Sequence, residues 1–211
     1  MIRFHAALLA CCLAAPFITA AQMNSSPVPL TEQVETGTIT INVTPQSESH
    51  SGLSGAEEGY LGHYRIRLLP IPSFPQLPAQ TAQQLTERGC MIPQTYEARE
   101  PENVIHGTFE KLGSNDWAVL CSVNRVTTLY VFFQSDLARP IPLRHQPDSQ
   151  WLGVEWSLDY GSAWGIAACP SRLMPGSAHA NHDGIEDAFV EHSSTIHYFE
   201  NGRWTTIDSS P

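Results

Sequence analysis

A seven-residue stretch near the carboxyl end of the chain has the residue spacing of a cation-binding loop. It reads N-H-D-G-I-E-D and places oxygen-bearing side chains at Asn181, Asp183 and Asp187, with Gly184 between them. Ca²⁺ takes about six to eight oxygen ligands, and a glycine permits the sharp turn that brings them together. The spacing therefore predicts a calcium site formed by these three side chains and the main-chain carbonyl of Ile185.

Histidines beside this stretch permit a different chemistry. His179, His182 and Asp183 form an H-x-x-H-D cluster that could bind Zn²⁺ or Mn²⁺ and activate water for hydrolysis. Strand alternation also puts His197 and Phe199 on one face, which is as compatible with packing as with catalysis. A third interpretation of the stretch is an Asx turn that is closed by hydrogen bonds to the main chain and holds no ion.

Other catalytic and binding patterns are weaker. Serine, histidine and aspartate are plentiful, but no G-x-S-x-G stretch offers a nucleophile on a sharp turn. Five tryptophans could either line a sugar-binding face or fill a β core. They are Trp117, Trp151, Trp156, Trp164 and Trp204.

The cation-binding stretch has a counterpart upstream. With Gly113 aligned on Gly184, the stretch E-K-L-G-S-N-D ends at Asp116, and an apolar strand, a polar turn and a second strand follow in both places. This order predicts an internal repeat with units near 103–135 and 178–208. In the first unit we expect Asp116 to cap a turn.

The elements that position these residues are mainly β-strands. Period-two alternation and Gly or Pro punctuation predict strands, or entries into strands, at 36–43, 60–69, 90–94, 103–107, 117–120, 128–133, 151–156, 164–169, 194–199 and 204–207. One short helix is predicted at 79–88, before Gly89.

Two turns are predicted between these strands. Gly161-Ser162 is expected to join 151–156 to 164–169 in a hairpin or meander, and Asn201-Gly202 is a strong two-residue hairpin signal. The pattern as a whole predicts an all-β, mainly antiparallel domain with one short helix, either propeller-blade-like or sandwich-like.

The amino-terminal segment predicts export. Residues 1–21 have a basic start, an apolar core and small residues at the end, as in a secretory signal peptide. The apolar core is shorter than the roughly 20 residues that a membrane span needs. Cleavage at the lipobox-like stretch 8–11 would leave too short a signal, so we expect no lipid anchor. A flexible leader at 22–35 then precedes a single β-domain at 36–211, and the predicted location is secreted or periplasmic.

Three cysteines follow the predicted signal peptide. An oxidising compartment favours one disulfide and one leftover thiol. We expect Cys90–Cys121, because each of these residues begins or ends a segment of the first repeat unit, with Cys169 as an alternative partner. Because no Cys/His zinc spacing occurs, a structural zinc bound through sulfur is disfavoured.

The charge balance bears on the partner. Asp and Glu number 21 against 11 Lys and Arg, which gives a formal net charge of −10. An acidic chain repels phosphate, so we expect no nucleic-acid partner. The same balance suits a basic protein partner.

Several of these stretches together resemble the FG-GAP or VCBS repeat. Its pattern runs from G-D-F through D-x-D-x-D-G-x-x-D into an apolar strand, and the chain has Gly107-Thr108-Phe109 in one unit and N-H-D-G-I-E-D before Ala188 in the other. In that family each repeat is a propeller blade whose loop holds Ca²⁺. The resemblance implies a calcium ion in the second unit, on the four ligands named above.

The resemblance also places His179 at the first aspartate of the pattern, as a possible additional ligand, although imidazole is a poor ligand for Ca²⁺. In the first unit, Thr108, Glu110 and Leu112 occupy carboxylate positions. The resemblance therefore implies no ion there.

These observations predict an exported, calcium-stabilised binding or inhibitor module that acts on another protein without catalysis of its own. A periplasmic immunity protein or a lysozyme inhibitor is the expected type, because lysozyme-like enzymes are often basic and an acidic surface would steer them in. The alternatives are a metal-dependent hydrolase that uses the His/Asp cluster and a glycan-binding or adhesion module.

Overall fold

The computed structural model of the protein describes residues 39–43, 64–154, 160–175 and 180–208. The signal peptide and the leader predicted at 1–21 and 22–35 lie outside these ranges. The described residues form one α-helix, α1 (Ala79–Glu87), and thirteen β-strands. The strands are β1 (Ile39–Val43), β2 (Tyr64–Pro70), β3 (Met91–Gln94), β4 (Val104–Gly107), β5 (Asp116–Val123), β6 (Val126–Phe132), β7 (Ile141–Pro147), β8 (Leu152–Val154), β9 (Tyr160–Ser162), β10 (Trp164–Cys169), β11 (Gly184–Phe189), β12 (Ser193–Glu200) and β13 (Arg203–Asp208).

The larger sheet, sheet 1, has seven strands in the order β1-β2-β3-β5-β6-β7, with β4 also paired to β5, and the pairings are antiparallel. Its central strand, β5, is buried from Asp116 to Ser122. An unbroken buried run of this kind forms when both faces of a sheet are covered. Sheet 1 is therefore an inner layer of the molecule.

Helix α1 covers one face of sheet 1. Trp117, Val119 and Cys121 alternate along β5 on this side and pack in one core cluster with Leu85 of the helix. The helix starts after Pro78 and is followed by Gly89, whose φ of 73° is a conformation that favours glycine. The structure thus confirms the single short helix predicted at 79–88. Within the described ranges no helix is both long and apolar enough to cross a bilayer.

A disulfide joins two strands beneath this helix. Cys90, just before β3, is bonded to Cys121 of β5, and their Cα atoms are 5.1 Å apart. The predicted pairing is confirmed. Cys169 is a buried free thiol, and burial, followed by the charges of Glu186 and Asp183, raises its pKa.

The second sheet, sheet 2, covers the other face of sheet 1. It is an antiparallel meander in the order β10-β11-β12-β13. Leu120 and Leu129 of sheet 1 share one core cluster with Trp164, Ile166 and Ile185 of sheet 2. The two sheets therefore pack face to face, which is the sandwich-like form of the predicted all-β fold, with a helix on the outer side.

Among the described residues, only half of the outer face of sheet 2 is covered. Cys169, Ile196 and Tyr198 form a small core cluster there with Met174, which lies in the connection after β10. The remaining part of this face contains the acidic groove described below.

The hairpin prediction at Asn201-Gly202 is confirmed. The two residues have φ values of 52° and 78°, and β12 and β13 pair on either side of them. Two consecutive positive φ values are the geometry of a type I′ turn, which suits the twist of a hairpin. Asparagine and glycine are the residues that tolerate it.

The predicted hairpin between 151–156 and 164–169 is wrong. Strand β8 pairs with β9, and β10 pairs with β11, so that Gly161 and Ser162 lie in a strand and not in a turn. A Cβ on Gly161 would lie 3.1 Å from the carbonyl oxygen of Arg65. The glycine is therefore required for a close approach of two strands, and a glycine signal of this kind is easily mistaken for a turn.

Asn103 joins the two sheets where their edges meet. Its amide nitrogen donates to the carbonyl oxygens of Pro93 at 2.7 Å and Trp164 at 3.1 Å, and its amide oxygen accepts from the main-chain nitrogen of Ile166 at 3.0 Å. The side chain is buried, and φ is 67°. Asn103 therefore acts as a peptide unit that continues the hydrogen bonding of sheet 2 beyond β10.

Candidate functional site

A buried ionic cluster centres on Asp187, in the middle of β11. The Nε1 of Trp164 donates to Oδ1 at 2.6 Å, and Nη1 of Arg144 donates to Oδ2 at 3.0 Å. The Nε2 of His197 lies 3.0 Å from the same Oδ2, and because a carboxylate only accepts, this nitrogen carries the proton. The side chain of Asp187 has 0% exposure.

Opposing effects set the pKa of Asp187. Burial alone would raise it, but the hydrogen bond from His197 and the charge and hydrogen bond of Arg144 outweigh burial, so the pKa of Asp187 lies below its usual value. The guanidinium of Arg144 also lies 4.5 Å from the ring centre of Trp151. Asp187 is therefore held as a carboxylate.

The cluster links the two sheets. Arg144 belongs to β7 of sheet 1, whereas Asp187, Trp164 and His197 belong to sheet 2. Both oxygens of Asp187 already accept hydrogen bonds, and a carboxylate in this state is not available to a substrate. We therefore assign the cluster a structural role, which is to hold the two layers together through paired charges.

The predicted calcium ligands have separate partners in the structure. Asp183 accepts from the main-chain nitrogen of Thr108 at 3.0 Å and from its hydroxyl at 2.9 Å. Asn181 is exposed, and its main-chain nitrogen donates to the hydroxyl of Tyr198. Asp187 belongs to the ionic cluster. Asp183 and Asp187 thus have protein partners of their own, and the calcium site stays a prediction from the sequence.

The loop predicted for this stretch is shorter than expected, because β11 begins at Gly184. Gly184 and Asp187 are three residues apart on an extended strand, so their Cα atoms are separated by about 10 Å. Ile185 pairs with His197 in the β11–β12 ladder, and the hairpin geometry directs its carbonyl toward β12. In the described part of the chain, no three His, Cys, Asp or Glu side chains are grouped closely enough for one metal ion.

These contacts give an expectation for calcium. We expect the melting temperature to be the same in excess Ca²⁺ and in excess EGTA. Trp164, Arg144 and His197 already donate to Asp187, and Thr108 donates to Asp183. Thermal unfolding followed by circular dichroism measures this. A melting temperature that rises with Ca²⁺ would contradict the expectation and support the loop that the sequence predicts, because an ion bound only by the folded state stabilises it.

The histidines of the predicted hydrolase site lie in different surroundings. His179 lies outside the described residues. The ring of His182 stacks on Tyr198 at a centroid distance of 4.4 Å, and its Nδ1 is 3.1 Å from the main-chain oxygen of Asp183. His182 is therefore buried against the ring of Tyr198.

The tryptophans that the structure describes pack in or against the core. Trp117, Trp151 and Trp164 are all at least nine-tenths buried, and Trp204 is half-buried beside Phe133. Trp156 lies outside the described residues. The core interpretation applies to the four tryptophans that the structure describes.

The counterpart of the predicted loop in the first unit is a capped turn, as predicted. Asp116 accepts from the main-chain nitrogens of Glu110 at 2.7 Å and Gln134 at 2.8 Å and from the hydroxyl of Ser114. It stands at the start of β5, whereas Asp187 lies within β11. The aligned aspartates therefore have different places in their strands.

An acidic groove lies on the uncovered half of the outer face of sheet 2. We define it by two adjoining hollows of about 310 and 320 Å³ that share Glu186, Ala188 and Val190. Small residues of neighbouring strands, among them Gly165 and Ala167, form its floor. The groove is shallow and open.

Four glutamates line the acidic groove: Glu97, Glu102, Glu186 and Glu191. Two of them are fixed, because Glu102 accepts from the main-chain nitrogen of Thr95 at 2.7 Å and Glu191 from the hydroxyl of Tyr96 at 3.2 Å. Among the described residues that line the groove, none is lysine or arginine. The groove is therefore a concentrated negative patch.

Sequence reasoning missed both the ionic cluster and the groove. Asp187 alternates with Ile185 and Phe189 on one face of its strand, and a carboxylate on an apolar face signals a buried partner. The partner itself is Arg144, 43 residues away, and no local pattern points to it. The groove glutamates come from two segments that only the fold brings together.

Comparisons of the chain with protein-family models, with curated proteins and with solved structures give no match. The resemblance to the FG-GAP or VCBS repeat therefore stays a prediction from the sequence. The function must be inferred from the site.

Proposed function

We propose that the protein is an exported binding module that docks a basic protein partner in the acidic groove. The observation that carries the proposal is the convergence of four glutamates from two separate segments on one open hollow with a floor of small residues. Carboxylates on a concave surface focus a negative potential, which attracts cationic side chains.

The groove suits a protein surface better than a small molecule. Small-molecule sites are usually deep clefts, whereas this hollow is shallow and its four glutamates give it one sign of charge. The low floor at Gly165, Ala167 and Ala188 leaves room for a lysine or arginine side chain to lie across the strands. The formal net charge of −10 adds a long-range attraction for a basic partner.

The proposed partner class is a basic lytic enzyme of the lysozyme type, and the proposed role is inhibition or immunity. The Cys90–Cys121 disulfide is compatible with an exported protein, because disulfides persist in oxidising compartments. The described contacts of His182 and of the buried tryptophans give no specific support to a hydrolase or a glycan-binding module.

Charge reversal in the groove provides the test. We expect Glu186→Lys to lower the association rate with lysozyme by about tenfold at low ionic strength, because it removes a negative charge from the groove and adds a positive one. We also expect the association rate of the unchanged protein to fall steeply as salt is added. Surface plasmon resonance with the immobilised protein measures both rates.

Glu87→Lys is the matched control. Glu87 is exposed on α1, on the opposite side of sheet 1 from sheet 2, and its reversal changes the net charge by the same amount. We expect it to alter the association rate by less than about twofold. Equal effects of the two variants would show that net charge alone, without the groove, draws the partner. A salt-insensitive rate, or no binding to a panel of basic lytic enzymes, would contradict the proposed partner class.

A further inference from the structure

Three of the four edge strands of the two sheets, β7, β10 and β13, are protected to different degrees. Strand β7 contains Pro142 and Pro147 and pairs with β6 through a bulge, and both devices block the addition of another strand. Strand β10 is covered by the amide of Asn103, and β4 lies alongside it. Strand β13 forms the other edge of sheet 2. It has regular pairing, no proline, no lysine and no bulge.

The hairpin geometry fixes which groups of β13 face outward. In a two-residue hairpin the residues that flank the turn, here Glu200 and Arg203, exchange main-chain hydrogen bonds. The main-chain groups of every second residue from Trp204 onward therefore point away from β12. This places the N–H and C=O groups of Trp204 and Thr206 on the edge of sheet 2 that no described strand covers.

The same alternation can be checked at the opposite edge. When the alternation is followed from β13 through β12 and β11 to β10, the main-chain groups of Trp164 and Ile166 point away from β11. Those are the groups that bond to Asn103. The agreement supports the assignment of the outward groups on β13.

The sequence of β13 is compatible with pairing to itself. Trp204-Thr205-Thr206-Ile207 has no charged residue and is rich in residues that favour strands. A second copy of the strand can therefore lie beside it without setting like charges opposite each other.

We propose that β13 is a self-association edge, at which a second copy of this chain adds its own β13 antiparallel across a two-fold axis. The outward main-chain groups of one β13 must face the outward main-chain groups of the other, so the two-fold axis passes through Thr205 or Thr206. The threonine on the axis then lies opposite the same threonine of the second copy, which is a favourable cross-strand pair. The two four-stranded sheets then form one continuous sheet of eight strands.

The charge of the chain sets the salt dependence of this association. Two copies that each carry a formal net charge of −10 repel each other, and added salt screens the repulsion. We therefore expect self-association to tighten with salt. Docking of a basic partner in the acidic groove weakens with salt, so the two processes are distinguishable and each can fail alone.

The test compares two substitutions at one position. We expect Thr206→Pro to raise the dissociation constant of the dimer by about tenfold or more, because it removes an outward N–H from each copy across the two-fold axis. Thr206→Val keeps that N–H and is expected to change the constant by less than about threefold. Sedimentation velocity from micromolar to millimolar protein measures both, with melting temperatures as a check on folding.

Hydrogen exchange tests the same edge without a substitution. At high concentration we expect the amides of Trp204 and Thr206 to gain protection together, whereas the amide of Thr205, which already bonds within the hairpin, is protected at every concentration. A chain that stays monomeric at millimolar concentration and high salt overturns the proposal. Equal dissociation constants for the proline and valine variants, or Thr206 protection that does not depend on concentration, overturn it as well.

Discussion

Replacement of Asp187 by asparagine is expected to lower the free energy of unfolding by about 3 kcal/mol, which is typical for breaking a buried ion pair by removing one partner. The substitution keeps the shape of the side chain but removes the charge that compensates Arg144 and the strong acceptor that holds His197. Urea unfolding followed by circular dichroism measures the loss.

A surface pair of the same residue types is the control. Asp136 forms an ion pair with Arg139, whose side chain is 87% exposed, and exposed pairs contribute about 0–1 kcal/mol. We expect Asp136→Asn to change the free energy of unfolding by less than 1 kcal/mol. If both substitutions had the same small effect, the buried cluster would not hold the sheets together.

The stability difference should also depend on pH. The folded protein holds the pKa of Asp187 below its usual value of 3.8, so the carboxylate contributes its stability above that pH and loses it as the pH falls through the lower, folded value. The difference in the free energy of unfolding between the unsubstituted protein and Asp187→Asn should therefore be constant from neutrality to about pH 4. Below that pH it should narrow. A difference that did not narrow below about pH 4 would mean that Asp187 is not held as a carboxylate.

Asn103→Ala is expected to cost about 3 kcal/mol of unfolding free energy. It leaves the carbonyl oxygens of Pro93 and Trp164 and the main-chain nitrogen of Ile166 without the partner that they have in the folded protein, and an unsatisfied buried polar group costs about 1–3 kcal/mol. Chemical denaturation measures the change.

Asn124 is a control that separates the cost of a positive φ from the cost of the lost side-chain hydrogen bonds. It also has a positive φ, of 51°, but it lies exposed in the turn between β5 and β6. Asn124→Ala should therefore cost only about 1 kcal/mol, the price of an alanine in the left-handed region. Asn103→Gly removes that strain but not the lost bonds, and we expect it to remain more destabilising than Asn124→Ala. The opposite order would show that Asn103 matters only for its backbone conformation.

Local sequence patterns predicted the elements whose structure depends on neighbouring residues. Asn201-Gly202 specifies its turn through two positive φ values, and the apolar runs of β5 and β6, separated by a polar turn, specify the strands. The short helix at 79–87 lies between a proline and a glycine, which mark its two ends. In these places the residue types act on their immediate neighbours.

Long-range partners were beyond the sequence. The spacing of Asn181, Asp183 and Asp187 is equally compatible with one shared cation and with separate protein donors, and the difference lies in Thr108 and Arg144, which come from distant strands. The same series of oxygen-bearing residues occurs in the sequence whether a cation or protein donors satisfy it. The sequence therefore predicts where polar atoms are needed but not what satisfies them.

The stacked indole rings of Trp151 and Trp164, beside the ionic cluster, can report on the packing of the two sheets through their fluorescence. Trp151 and Trp164 lie 4.7 Å apart with an interplanar angle of 16°, and the second of them bonds directly to Asp187. Because indole emission responds to nearby charge and to water, separation of the layers would change the intrinsic fluorescence before the whole chain unfolds. Partial opening of the sandwich can therefore be followed without attaching a dye.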